Sequence, residues 1–251
     1  LEEFRNAIKP NTVLVSLTFA NSEIGTIQPI SDIAKIIKES KTKVFPYLHI
    51  DTGGSPLYLS MDIPRHNIDL LTLDSGKIYG PKGVGALYVR SGTNIRPIIF
   101  GGGQERGLRS GTENLSAISG FTLALEEGSQ NRVVESERLS KIRDYAIENI
   151  LKTFPSSSLN GSVSHRLPNN INICFKGLDA EFATIELDIL GFSVSYSSSC
   201  MTLKDDFSSY VIRNIGREEC SKSSLRFTLG KFSQKSDIDK LILALKKVVI
   251  K

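Results

Sequence analysis

Two residues have the types and placing for one particular chemistry. Asp51 closes the apolar run 47–50. Lys77 follows a second such run, 68–73, in Leu73-Asp74-Ser75-Gly76-Lys77-Ile78-Tyr79-Gly80-Pro81-Lys82-Gly83. Both runs are short, apolar and bounded by turn formers, the pattern of buried strands. An acid and a primary amine on neighbouring strand ends are what pyridoxal phosphate (PLP) requires. The amine condenses with the aldehyde, and the acid keeps the ring nitrogen protonated so that the ring withdraws electrons. A nucleotide-binding loop is the main rival for Lys77, and it fails because the chain has no Gly-x-x-x-x-Gly-Lys-Ser/Thr order. Cys200 stands in Ser197-Ser198-Ser199-Cys200-Met201-Thr202, with Lys204, Asp205 and Asp206 beyond. Small polar neighbours predict an exposed thiol, as a nucleophile needs. Cys174, in an apolar run, reads as a buried and inert thiol, and Cys220 is grouped with it.

The elements that position these groups follow from periodicity. Residues 13–19 predict a buried strand, and Pro29 with Ser31 announces a helix, Ser31 as its N-cap and Ile33, Ile36 and Ile37 on one face. Strands at 47–50, 68–73 and 85–89 complete a strand-helix-strand order that predicts an α/β fold with a mostly parallel sheet. In such sheets ligands gather at the carboxyl ends of strands, where Asp51 and the Lys77 turn both fall. Residues 115–152 read as mostly helical, and Ser156-Ser157-Ser158 breaks that pattern. Beyond it come a strand at 171–175, a helix at 180–190, a short strand at 193–196, a strand at 225–229 and a final amphipathic helix carrying Ile238, Leu241, Ile242, Leu245 and Val249. This change of pattern places one domain at residues 1–130 and a smaller α+β domain at residues 131–251.

Composition narrows the function class. The chain has 251 residues, 40% hydrophobic and 23% charged, with a net charge of +4, so it can bury a sizeable core. The charges are evenly spread with no basic stripe, which argues against nucleic acid as a partner. No apolar run reaches the length of a membrane span. Three cysteines are too few and too scattered for a disulfide framework or a zinc site. A reduced, cytoplasmic protein is the expectation. The chain begins with Leu1 rather than Met and opens on what reads as a helix end, the look of a fragment.

With these segments in view, the chain resembles the cysteine desulfurases of the class V aminotransferase family along essentially its whole length. The resemblance rests on residues 75–85, on His49-Ile50-Asp51, on Gly101-Gly102-Gly103-Gln104-Glu105-Arg106-Gly107-Leu108-Arg109-Ser110-Gly111-Thr112, on Cys200 and on Ser224-Leu225-Arg226-Phe227. It implies PLP-dependent transferase fold type I, with a large PLP-binding domain and a small one carrying the cysteine loop. Lys77 would hold the cofactor as a Schiff base and later shuttle protons, and Asp51 would pair with the ring nitrogen. Thr112 would donate to the phosphate in the partner subunit of a homodimer. Arg226 would grip the substrate carboxylate with its planar fork, and Asn21 falls in both the cofactor and the substrate set. The implied reaction converts L-cysteine to L-alanine and leaves a persulfide on Cys200. The length of the segment after Cys200 resembles the branch that delivers sulfur to an acceptor protein, for iron–sulfur or thio-cofactor supply.

The same resemblance marks departures. Ser22 stands where the family has the Asn that reaches the PLP hydroxyl, Gly53-Gly54 where it has a Gln, and Gly76 where it has His or Gln. Each lost hydrogen bond costs on the order of 1 kcal/mol, and three together about a hundredfold in cofactor affinity. Family members also carry further residues before the position of Leu1, including a phosphate cup and a ring-stacking histidine. Two other readings therefore stand beside the desulfurase. One is another class V aminotransferase or lyase, which would not need the exposed Cys200. The other is a non-catalytic remnant serving as a dimerisation or scaffold module.

Overall fold

In the computed structural model, residues 1–40, 42–196 and 208–250 are described. The chain divides into two compact units, residues 1–19 with 29–132, and residues 20–28 with 133–251. The segment 20–28, placed by sequence with residues 1–130, thus packs in the second unit.

The first unit holds α1 (Glu2–Ala7), β1 (Leu14–Thr18), α2 (Ile30–Glu39), β2 (Tyr47–Asp51), α3 (Ile63–His66), β3 (Leu70–Asp74), β4 (Gly85–Val89) and the start of α4 (Leu115–Thr153). The strands form one sheet in the order β1-β2-β3-β4. The pairs β1–β2 and β2–β3 are parallel, and β3–β4 is antiparallel. Helix α2 is amphipathic and buries Ile30, Ile33, Ala34, Ile36 and Ile37, the aliphatic stripe that covers one sheet face. Ser31 does not cap it. The N-cap is Pro29, two residues earlier, and the Ser31 hydroxyl hydrogen-bonds His66 Nδ1 at 2.9 Å.

Helix α4 braces the turn after β3 through two glycines. A Cβ at Gly120 would lie 2.7 Å from Pro81 Cγ, and one at Gly128 would lie 2.8 Å from Leu57 Cδ2. Only glycine permits approaches this close. Arg132 Nε adds a bond to the Pro56 carbonyl at 3.0 Å.

The second unit is built on the antiparallel sheet β5 (Ser157–Leu159), β6 (Asn170–Phe175) and β7 (Ser224–Thr228), with β6 central. Helices α5 (Ala180–Ile189), α6 (Tyr210–Asn214) and α7 (Lys235–Val249) complete it with the end of α4. Every residue of β6 is buried, as a central strand covered on both faces requires. Leu139, Ala146, Ile150, Leu187 and Leu245 are each fully buried around it. The serine run expected to be only a break contributes strand β5, because Ser157 to Leu159 pair with Phe175 to Ile173; tertiary pairing overrides weak local propensity. The strand expected at 193–196 reduces to a single bridge between Ser195 and Arg226.

The cysteines also depart from expectation. Cys174 on β6 and Cys220 are joined, with Cα atoms 5.3 Å apart across 46 residues of sequence. They are therefore a buried pair rather than two inert thiols, packed with Ile24 and Ile212. Sequence distance hid a proximity that the turn before β7 creates.

Apolar groups remain uncovered in the first unit: Val13 at 58%, Leu87 at 52%, Ile98 at 89% and Phe100 at 80% exposure. Strands β1 and β4 are both open sheet edges. Edges and patches of this kind promote association. Residues 1–251 expressed alone should therefore elute in light-scattering chromatography well above the 27.6 kDa of one chain; a sharp monomer peak at micromolar concentration contradicts this.

Candidate active site

Each unit assembles its own group of the residues singled out by sequence. In the first, parallel pairing of β2 with β3 sets His49 opposite Leu70 and Asp51 opposite Thr72. Both chains then turn at the same sheet end. Asp51 is half-buried, and its Oδ1 accepts the Gly53 N–H at 3.0 Å. Thr52 donates through its hydroxyl to the Thr72 carbonyl at 2.8 Å and ties the two strand ends together. A Cβ on Gly54 would lie 3.4 Å from the Lys77 carbonyl, so the turns carrying Asp51 and Lys77 are neighbours. His49 joins three strands, with Nδ1 bonded to Ser16 Oγ and Nε2 to Thr72 Oγ1, each at 2.7 Å.

The Lys77 turn has its own internal order. Asp74 caps it, with Oδ1 accepting the Gly76 N–H at 3.0 Å and Oδ2 facing Lys77 Nζ at 3.3 Å. Both side chains of that ion pair are about half exposed. Ser75 is fully buried, and a Cβ on Gly80 would collide with its hydroxyl at 2.3 Å. Gly80 is therefore the residue that lets the turn close. Sequence reasoning gave Asp74 no role, although an acid three residues before a lysine was visible. Thr112 is exposed at the end of the loop in which Gly111 N–H donates to Gln104 Oε1 and Gly103 N–H to Ser110 Oγ.

The second unit gathers Asn21, Ser22 and Arg226. Asn21 turns its side chain inward, with Oδ1 accepting the N–H groups of Glu23 at 2.9 Å and Ile24 at 3.0 Å. This Asx turn exposes Ser22 and buries Glu23. Ser22 offers its carbonyl to Arg226 Nη1 at 3.2 Å and to Asn170 Nδ2 at 3.3 Å. Glu23 is 2% exposed, and its Oε1 accepts a short hydrogen bond from Ser209 Oγ. Ser209 uses the same hydroxyl to cap α6, accepting the Ile212 N–H at 3.1 Å. Burial pushes the Glu23 carboxyl above its ordinary range, while the Ser209 hydrogen bond and the Arg226 charge oppose that shift. Burial likewise lowers Arg226 against the pull of Glu23. Sequence reasoning gave neither Glu23 nor Ser209 a role, although Glu23 closes the segment Asn21-Ser22-Glu23. Cys200 lies outside the described residues.

A hollow of about 630 Å³ in the second unit is lined by Asn21, Thr26, Ser162, Tyr210, Asn214 and Arg217 among others, and Arg226 is not part of its wall. No cluster of metal-ligating side chains occurs among the described residues.

The family described as aminotransferase class V matches residues 1–241. The chain belongs to this family. Among its relatives, "Cysteine desulfurase IscS" of Clostridium botulinum is 41% identical over 252 residues, covering 99% of this chain and 62% of the relative. "Cysteine desulfurase IscS 1" of Archaeoglobus fulgidus is 42% identical over 250 residues, covering 99% and 64%. The X-ray structure of a NifS-like protein from Rickettsia africae matches with TM-score 0.86 at 32% identity, over 100% of this chain and 65% of that one. The class V chain described here thus spans less than two thirds of the length of the curated relatives it matches. Its fold is PLP-dependent transferase fold type I, α/β with a mixed, mostly parallel sheet, as the resemblance implied. Among the described residues no helix is long and apolar enough to cross a membrane.

The electrostatics of Glu23 give a pH prediction. A carboxyl whose folded pKa is raised stabilises the fold at pH below its unfolded pKa of about 4.3, and that contribution is lost as pH rises through the folded value. Glu23→Gln removes this dependence. The melting temperature of the variant minus that of the parent should rise as pH climbs from 4 towards 8. A difference that stays flat across this range contradicts the assignment.

Proposed function

We propose that this class V chain is the larger part of a PLP-dependent cysteine desulfurase that converts L-cysteine to L-alanine. The observation that carries the reading is the juxtaposition of Asp51 and Lys77 on adjoining turns at the carboxyl end of two parallel strands. The names of the relatives support the choice of reaction within the family.

The donor set fits the cofactor in its two defining parts. Lys77 offers a primary amine to the aldehyde, and Asp51 offers a carboxylate to the ring nitrogen. Asn21, Ser22, Gly54, Gly76 and Thr112 are the further positions assigned to the cofactor. Of these, Gly54 and Gly76 contribute backbone alone, and the Gly76 N–H is already taken by Asp74. Bound PLP supplies an electron sink for bonds broken at the substrate carbon. The protein supplies the rest. Arg226 binds the substrate carboxylate through its guanidinium fork. Lys77 Nζ, once free, carries a proton to and from the reacting carbon. The Cys200 thiolate attacks the substrate sulfur, so that the carbon–sulfur bond breaks as the new sulfur–sulfur bond forms. The products are L-alanine and a Cys200 persulfide, with atoms and electrons balanced.

In this reading the chain acts as a homodimer through the loop 101–112, consistent with the exposure of Ile98 and Phe100 before it. It hands sulfur to an acceptor protein. Catalysis by a free thiol suits a reducing compartment such as the cytoplasm, while the buried Cys174–Cys220 disulfide is a bond rare in such compartments. A second reading, a non-catalytic dimerisation module, draws on one observation: Asp74 occupies both the Lys77 ammonium and the Gly76 N–H.

Two experiments on the full-length protein test the assignment. Borohydride reduction of the PLP complex should label Lys77 in peptide mass spectra; label on Lys82 with Lys77 unmodified removes Lys77 from the site. Cys200→Ser should retain the cofactor's absorbance and lose at least about a hundredfold in sulfide release. Undiminished sulfide release by Cys200→Ser would remove Cys200 from the chemistry.

A further inference from the structure

The Cys174–Cys220 disulfide is a reactive group that the proposed reaction leaves unused, and its two ends are held very differently. Cys174 lies within the central strand β6, opposite Ser158 of β5 on one side and Ser224 of β7 on the other. Cys220 ends a single 3₁₀ turn, Glu218–Cys220, in which Glu218 and Glu219 are exposed. The bond therefore ties a surface turn to the middle of a sheet. That turn supports other parts of the second unit. The Ser221 carbonyl, next to Cys220, accepts the Ser209 N–H at 2.9 Å. Ser209 in turn caps α6 through the Ile212 N–H and donates its hydroxyl to Glu23. Ile212 of α6 and Ile24, beside Glu23, pack in one buried cluster with the two cysteines. Two thiols need more room than a disulfide. Sulfurs about 2 Å apart when bonded separate to about 3.5–4 Å when they are not. A close-packed interior does not absorb that change in place. Strand β6 is fixed by a ladder on each side, so the turn 217–221 is the part that yields.

We propose that Cys174–Cys220 is a reversible redox pair: its bond pins the turn 217–221 to β6, and its reduction loosens that turn together with the start of α6 and the turn 21–24. The pair acts in this way whatever reaction the chain performs. The chemistry is thiol–disulfide exchange with a low-molecular-weight thiol. The small thiolate attacks Cys220 Sγ, the sulfur on the surface turn. The bond between the two protein sulfurs breaks, and Cys174 leaves as a thiolate that takes up a proton. A second small thiol attacks the first one's sulfur in the mixed disulfide and releases Cys220 as a thiol. Two protein thiols and one small disulfide result, so both electrons come from the small thiols. A small disulfide reverses the two steps. Both cysteines are 1% exposed, so exchange proceeds through local opening of the turn. The turn 21–24 also carries the Ser22 carbonyl on which Arg226 Nη1 rests at 3.2 Å, and reduction reaches that contact as well.

The test uses the full-length, PLP-loaded protein equilibrated with mixtures of reduced and oxidised dithiothreitol, a dithiol that supplies both thiols. Samples are quenched in acid, alkylated and mapped by peptide mass spectrometry. Cys174 and Cys220 should gain label together at a single midpoint, and lose it together when the oxidised reagent is restored. Hydrogen exchange at the amides of Glu23, Ile24, Ser209 and Ile212 should run at least about tenfold faster in the reduced protein, while amides of the β6–β7 ladder keep their rates. Cys220→Ser, which cannot form the bond, should exchange at the fast rate in both media. Cys174→Ser replaces it if that variant does not fold, and the titration of the parent protein stands without either. Label on both cysteines in the fully oxidised mixture means that the pair does not close, and overturns the proposal. A pair that stays unlabelled in excess dithiol is a permanent staple, which overturns it too. Reduction with unchanged exchange at the four amides overturns the coupling to α6 and the turn 21–24. Exchange accelerated evenly over the whole second unit does the same, because the bond would then hold the fold and not the turn.

Discussion

The parallel register of β2 and β3 is the constraint on which the first unit depends. Once Ile50 pairs with Leu71 and Asp51 with Thr72, the chain must leave both strands at the same edge of the sheet. A parallel ladder forces this because each strand must be re-entered from the other end by a crossover. Asp51 and the Lys77 turn then become neighbours irrespective of the residues between them. The remaining features hold that end closed: Thr52 bonds across the strands, Asp74 caps the turn, and Gly80 and Gly120 allow Ser75 and Pro81 to approach without a Cβ in the way. A change at Gly120 therefore bears on Lys77 by way of Pro81.

The second unit is ordered by a different means, a buried polar network. Asn160 Nδ2 donates to both Asn172 Oδ1 and Ser224 Oγ at 2.8 Å. Asn170 accepts from Arg166 at 2.9 Å and donates to the carbonyls of Ser22 and Glu23. Arg166 is 3% exposed, and burial together with the nearby Arg143 charge lowers its pKa to about 10. Apolar packing tolerates small shifts of one element on another, whereas hydrogen bonds between buried groups tolerate few. The network thus fixes the turn 21–23 against β6 and β7 more tightly than the apolar contacts do, and Arg226 on β7 bonds to that turn through the Ser22 carbonyl.

The strands and long helices were legible in the sequence because each carries its own periodicity. Residues 47–50 and 85–89 are short, largely apolar runs between turn formers, and 235–249 repeats every three to four residues. Asp51 and Lys77 were legible as candidates because they follow such runs, and Arg226 because Ser224-Leu225-Arg226-Phe227 resembles the family's segment. What could not be read are features whose cause lies elsewhere in the chain. Strand β5 exists because β6 offers it a partner. Cys174 and Cys220 meet because the turn before β7 returns to β6. Ser31 looked like a cap from its type and neighbours, but it is drawn to His66. Glu23 followed a motif that was noticed, yet its burial depends on Ser209, 186 residues away.

Two charged side chains singled out by sequence, Lys77 and Arg226, lie in contrasting surroundings. The Lys77–Asp74 pair is about half exposed at 3.3 Å, and such pairs contribute only about 0–1 kcal/mol. Water replaces the partner readily, so the pair leaves the Lys77 amine accessible. A lysine buried against an acid would be far harder to release. Glu23 is buried with its Oε1 on the Ser209 hydroxyl, and Arg226 is half-buried with Nη1 on the Ser22 carbonyl at 3.2 Å. Burial raises the carboxyl and lowers the guanidinium from their ordinary values. The Lys77 turn thus leaves an amine that water and solutes reach, whereas the Arg226 fork is held on a backbone carbonyl beside a buried polar network.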